Sequence, residues 1–300
     1  MNPAGSRLFI FGMGYCALAL ARILKEDSCE IAGTCREPEQ REALRRAGYA
    51  VHLFQDGSSE NEVRQGLARA ENVLITIPPL ATGGDLVWEA FQDDILHHPR
   101  LRWLGYLSTT GVYGNHDGGW VDEDSELKPI ADHHRRRWQA ETRWREAFQS
   151  HGVPVHVFRL AGVYGPGRNP LEKVIAGQAK RIEKPGLVFG RVHVEDVAEV
   201  LKASMARPHP GTVYNVCDDL PAPPAEVTEF ACGLLHRPLP PLVPFEQAHL
   251  SEMGRSFYLN NRRVSNRRIK EKLKVKLHYP NYKDGLRALL ASIPEELKKH

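Results

Sequence analysis

The residues in this 300-residue chain whose spacing most clearly speaks of chemistry are Gly12, Gly14 and Ala17, a GxGxxA pattern directly after the apolar run LFIF. A glycine at the first position permits a tight turn. A second lets backbone approach a pyrophosphate, and a small third residue keeps the following helix close to its strand. The helix N-terminus then offers N–H groups and the positive end of its dipole to phosphate. Tyr15 and Cys16 lie inside the same turn and join Gly12, Gly14 and Ala17 as expected cofactor contacts. Arg36 follows the second strand, AGTC, where an acidic residue would accept from a ribose 2′-OH. An arginine there accommodates a 2′-phosphate instead, so the residues favour NADP(H) over NAD(H). Arg41 is a weaker second candidate for that contact.

The elements around this motif must form a sheet. Short β-like runs at Leu8–Phe11, Glu30–Cys35, Tyr49–Phe54, Asn72–Ile77, Arg102–Ser108 and Val155–Leu160 alternate with helical patterns such as Tyr15–Lys25. That alternation predicts a Rossmann-type α/β fold, a doubly wound parallel sheet covered by helices. After Leu160 the texture changes. GVYGPGRNP reads as a loop, Val192–Met205 as a strand leading into a helix, and Thr212–Val216 as a strand returning to the sheet. The expected division is a dinucleotide-binding domain at 1–167 and 191–217, with a smaller substrate domain at 168–190 and 218–300. PAPPAEV and RPLPPLVPF are expected to be extended connectors.

Composition agrees with an ordinary soluble globular protein: 42% hydrophobic, 26% charged, formal net charge +3. Cys16, Cys29, Cys35, Cys217 and Cys232 show no CxxC spacing, which argues against a disulfide framework or zinc site and for a reducing cytoplasm. No apolar run is long enough for a membrane span. The adjacent pairs His97–His98 and His133–His134 do not face one site on a helix, so no metal is expected. The basic tract from Arg262 to Lys276 invites a nucleic-acid reading. Ile269 and Leu273, four apart, instead predict a helix docked by its apolar side with basic residues outward. The expected partner is a small-molecule substrate, with no nucleic acid or membrane and room for a homodimer.

The segments FGMGYCA, LITIPP, LSTTGVYG, RLAGVYGPGRNPL, VHVEDVAEV and VSNRRIKEKL together resemble the extended short-chain dehydrogenase/reductase superfamily, in an atypical branch of its NAD-dependent epimerase/dehydratase-like proteins. The resemblance implies an NADP(H)-binding oxidoreductase or epimerase-like enzyme acting on a small polar carbonyl or sugar-related substrate. It also implies a catalytic Ser or Thr, here Thr109, and a YxxxK pair. Anchored on Glu141, the helix ADHHRRRWQAETRW carries His133 at the Tyr position and Arg137 at the Lys position, so the pair itself is absent. A non-catalytic NADP(H) redox sensor or regulatory protein is the alternative. Tyr113 in the VYG element is a further candidate proton donor, and packing explains it nearly as well. By the same resemblance Pro78, Pro79, Gly162 and Val163 lie along the cofactor, and Tyr164, Arg168 and His193 face substrate. Asp56 is expected either to meet the adenine amino group or to form a turn before Gly57.

Overall fold

The computed structural model describes residues 5–55 and 60–298, so Asp56 lies outside the described residues. Seven strands form one parallel sheet: β1 (Arg7–Phe11), β2 (Glu30–Cys35), β3 (Ala50–Leu53), β4 (Asn72–Ile75), β5 (Trp103–Thr109), β7 (Val155–Leu160) and β11 (Val213–Val216). Their spatial order is β11-β7-β5-β4-β1-β2-β3. The order reverses at β1, and the crevice outside the strand ends there is where doubly wound sheets bind ligands.

Alternation along β1 builds both faces. Leu8 and Ile10 enter a core shared with α1 (Tyr15–Glu26), α7 (Val194–Ala206) and α10 (Arg267–Lys272). Phe9 and Phe11 enter the opposite core, shared with α3 (Glu60–Arg69), α4 (Leu86–Leu96) and α5 (Asp132–His151). Such a split is the consequence of a two-residue side-chain period. Helix α2 (Pro38–Arg46) covers the β2–β3 edge with Leu44. Asp85 caps α4 by accepting from the Val87 and Trp88 N–H groups, and its other oxygen accepts from Trp144 Nε1 at 2.8 Å, which ties α4 to α5.

The remaining elements are short. They are β6 (Trp120–Val121), β8 (Gly162–Tyr164), β9 (Arg181–Glu183), β10 (Arg191–His193), β12 (Leu242–Pro244) and β13 (Arg263–Val264), with helices α6 (Pro170–Ile175), α8 (Pro224–Leu234), α9 (Glu252–Tyr258), α11 (Tyr282–Ser292) and α12 (Glu295–Lys298). GVYGPGRNP is not loop throughout. Its first three residues pair with β10, and its Asn169 caps α6 with Pro170 at the first turn. The proline-rich stretches likewise hold structure, since PAPPAEV starts α8 and RPLPPLVPF supplies β12 against β9. Leu171, Val174, Val227, Ala231, Leu286 and Leu289 form a separate apolar cluster from α6, α8 and α11. Ile269, Leu273 and Leu277 pack instead into the main core, although the sequence places them in the smaller unit.

Candidate functional site

At the end of β1 the chain turns at Gly12 with φ +91°, and a Cβ there would lie 2.7 Å from Thr76 Oγ1 and 2.9 Å from Ile77 Cγ1. Only glycine fits that conformation in that space. The turn is held from both sides: the Gly12 N–H donates to Thr34 Oγ1 at 2.9 Å, and Thr76 Oγ1 donates to the Gly12 carbonyl at 2.5 Å. Gly14 caps α1 without any side-chain acceptor, the first turn of α1 holds no acid, and a Cβ on Gly14 would meet nothing within 4 Å. No side chain among the described residues caps this helix end, which leaves its first N–H groups available to an anion. Ala17 is buried against the sheet, and Cys16 has its thiol pushed up to about 11 by burial, with Arg168 opposing, so it stays protonated. Tyr15 donates to the Pro166 carbonyl at 2.9 Å and lies beneath the Arg168 guanidinium, which seats the GPGR turn over this helix end. Arg36 is exposed at the end of β2 with no carboxylate partner among the described residues, whereas Arg41 pairs with Glu42. Pro78 and Pro79 follow β4 beside this turn, outside the core.

The strand ends on the other side of the switch point open into a cavity of about 770 Å³. Its walls include Thr109, Thr110, Gly111 and His134, the β8 residues Gly162, Val163 and Tyr164, and the cations Arg168, Lys173, Arg191 and Arg262. Thr109 Oγ1 accepts from the Gly111 N–H at 3.0 Å, which leaves its own O–H to donate elsewhere. His134 lies directly against Gly111, where a Cβ would collide with its ring. Burial, with help from His133, Arg262 and Arg137, pushes its pKa down to about 3, so the imidazole is neutral near pH 7. His133 is only half-buried and does not line the cavity. Its pKa is lowered by burial and by Arg136 and Arg137.

Beneath the cavity floor Glu141 on α5 accepts from Arg159 Nη2 at 2.6 Å and from Ser108 Oγ at 2.7 Å. Arg159 Nη1 donates to the Tyr113 hydroxyl at 2.8 Å, and that hydroxyl donates to Asn215 Oδ1 at 2.7 Å. All of Glu141, Arg159, Tyr113 and Asn215 are within 1% of full burial. This network fixes α5 against β5, β7 and β11.

The sequence pattern described as the NAD dependent epimerase/dehydratase family matches residues 88–217. The match covers the middle of the chain, and it is that segment which is similar to the family. A functionally unknown conserved protein from Silicibacter pomeroyi DSS has a solved structure that is 48% identical, with TM-score 0.87 over 96% of this chain and 99% of that one. Protein YeeZ of Escherichia coli (strain K12) is 29% identical over 227 residues, 73% of this chain and 79% of that protein. The dTDP-glucose 4,6-dehydratase of Bacillus anthracis str. Ames, solved in complex with NAD, shares the fold at TM-score 0.80 and 16% identity, over 96% of each chain. The fold is thus shared with a protein solved with NAD bound.

Four expected site residues, Tyr113, His133, Arg137 and His193, are absent from the cavity wall. Tyr113 does not reach the cavity: its hydroxyl is committed to Arg159 and Asn215, and burial pushes its pKa up to about 12. His193 is buried behind the ring of Tyr164, where its Nδ1 accepts from the Glu195 N–H and caps α7. It too is absent from the cavity wall. Arg137 turns inward, donating to the Leu107 carbonyl at 2.5 Å. The cavity residues that sequence reasoning did not assign to the site are Arg191 and Arg262, and His134 enters it only if the alignment on Glu141 is shifted by one. For His134 the signal was present, one residue from the anchored position. Arg262 was hidden in a basic tract whose other members are largely engaged: Arg268 with Glu123 and Asp124, Lys270 with Asp219, Arg267 with Glu271.

Proposed function

We propose that the protein binds NADP(H) in preference to NAD(H) and uses it on a small polar carbonyl or sugar-related substrate held in the cavity. The observation that carries this reading is the juxtaposition, across one switch point, of an uncapped glycine-turn helix and a cavity walled by Thr109 and His134. When bound, the nucleotide supplies a hydride donor or acceptor. Gly12, Gly14, Tyr15, Cys16 and Ala17 form the pyrophosphate cradle. Arg36 pairs with the 2′-phosphate, Pro78 and Pro79 border the ribose, and Gly162 and Val163 border the nicotinamide end. Residues 168–190 and 218–300 supply the substrate side, with Tyr164 and Arg168 on the wall.

Thr109 donates its hydroxyl hydrogen to the substrate oxygen, because its lone pair is already held by Gly111. His134, neutral near pH 7, acts as a second hydrogen-bonding group at that oxygen, a role that a neutral imidazole performs without titrating. His133 is the less buried of the two and has the greater freedom to exchange a proton with solvent. The sensor reading is supported by Arg137, whose guanidinium is spent on a backbone carbonyl at the position where the superfamily uses lysine.

Screening NADPH oxidation against carbonyl compounds and nucleotide sugars separates the two. The enzyme reading predicts turnover that falls roughly 10²-fold in His134→Phe with NADPH affinity unchanged. Tight NADPH binding without turnover on any member supports the sensor. Turnover indifferent to both His133→Phe and His134→Phe contradicts the assigned roles.

A further inference from the structure

Several guanidiniums drawn into the fold have a carboxyl group nearby, while Arg137 and Arg263 meet backbone carbonyls instead. Arg159 pairs with Glu141, Arg268 with Glu123, and Arg181 with Glu229. Arg191 has the buried Asp218 carboxyl as the strongest influence favouring its charge. Arg262, on the cavity wall just before β13, has no carboxylate among the described residues. Burial pushes its pKa down to about 10, and only the Tyr113 phenol works the other way.

Its hydrogen bonds are incomplete as well. Nη1 donates to the Gly114 carbonyl at 2.9 Å. Nη2 makes a single long contact of 3.5 Å to Thr110 Oγ1, and the buried Nε has no acceptor. With Nε sealed from solvent and Nη1 engaged, Nη2 is the nitrogen whose N–H groups a charge-assisted bond to an oxyanion would satisfy. A desolvated cation without a counter-ion costs stability, and here the Gly114 carbonyl and the Tyr113 phenol offset that only in part.

We propose that the substrate carries an anionic oxygen group, carboxylate or phosphate, which Arg262 binds at the Thr110–His134 corner of the cavity. This inference rests on the reading of the cavity as the substrate site. It adds where on the substrate the charge lies: Thr110 adjoins Thr109, so the anion sits close to the reacting carbon and not at a distant end. The other wall cations, Arg168, Lys173 and Arg191, outnumber the wall's carboxylate, Glu172, and favour an anion throughout.

The test uses intact protein saturated with NADPH, so that phosphate cannot report on the nucleotide site. Calorimetric titration with oxamate, with inorganic phosphate and with neutral lactamide is compared in wild type, Arg262→Met and Arg262→Lys. At least one of the two anions should bind wild type, and which one names the source. That affinity should fall at least tenfold in Arg262→Met and less in Arg262→Lys, while NADPH affinity stays within twofold and Tm does not fall. The last readout separates ligand binding from a structural role, since removing a desolvated cation without a counter-ion offsets the loss of its hydrogen bond to the Gly114 carbonyl. Equal anion affinity in Arg262→Met, no anion binding to NADPH-loaded wild type, lactamide binding as well as the anions, or a lowered Tm in Arg262→Met would each overturn the proposal. Absence of NADPH binding in the first titration would instead count against the nucleotide reading.

Discussion

Arg159 and Arg262 both act on Tyr113, one by hydrogen bond and the other through charge, and they differ in what neutralises them. The first is locked by Glu141 and serves the fold; the second is left for a ligand. Sequence spacing cannot separate these cases, because an arginine's type is the same whether its counter-ion comes from a neighbouring helix or from a substrate. The same limit explains Tyr113. Its place four residues after Thr109 is legible, but the closed chain from Glu141 through Arg159 and Tyr113 to Asn215 joins α5, β7, the turn after β5, and β11, which only tertiary structure brings together. The glycine turn was legible in full, since Gly12 must adopt positive φ against β4 and no other residue type can.

At the scale of elements, the strands of the main sheet were readable because each has four to seven residues, enough for apolar runs bounded by turn residues to emerge. Beyond Leu160 the strands outside the main sheet have two or three residues, too few for a period to register, and β8 was consequently read as loop. Helix α5 has a hydrophilic sequence, and its burial is organised by polar contacts: Glu141 reaches Ser108 on β5 and Arg159 on β7. Replacing Glu141 by Gln keeps the shape and removes the charge that neutralises Arg159. Denaturant unfolding of Glu141→Gln should show a loss of about 3 kcal/mol, the range for breaking one side of a buried pair. A change within about 0.5 kcal/mol, as for an ordinary surface substitution, would contradict this view of how α5 is held.

For the whole molecule, buried neutral histidines set an acid limit. His156 is fully buried against Trp103, its Nε2 accepts from the His209 N–H at 2.9 Å, and burial pushes its pKa down to about 4. The folded pKa lies below the unfolded value of about 6.5, so the unfolded chain binds the proton first. The stabilising contribution is present above pH 6.5 and is lost as pH falls from there toward 4. Between pH 6 and 4.5 wild type should lose stability faster than His156→Gln by up to about 1.4 kcal/mol per pH unit. Parallel profiles would contradict the assignment. Among the described residues no helix is long and apolar enough to cross a membrane, and the glycine turn and the cavity lie at the strand ends of one sheet. The central claim is that these two form one nucleotide-dependent site with a preference set by Arg36. Its most direct test is fluorescence titration of NADPH and NADH into wild type and Arg36→Ala. The account predicts tighter binding of NADPH than NADH in wild type, with that preference lost in Arg36→Ala while NADH affinity is unchanged. Equal affinity for the two nucleotides in wild type, or an undiminished preference in Arg36→Ala, would contradict it.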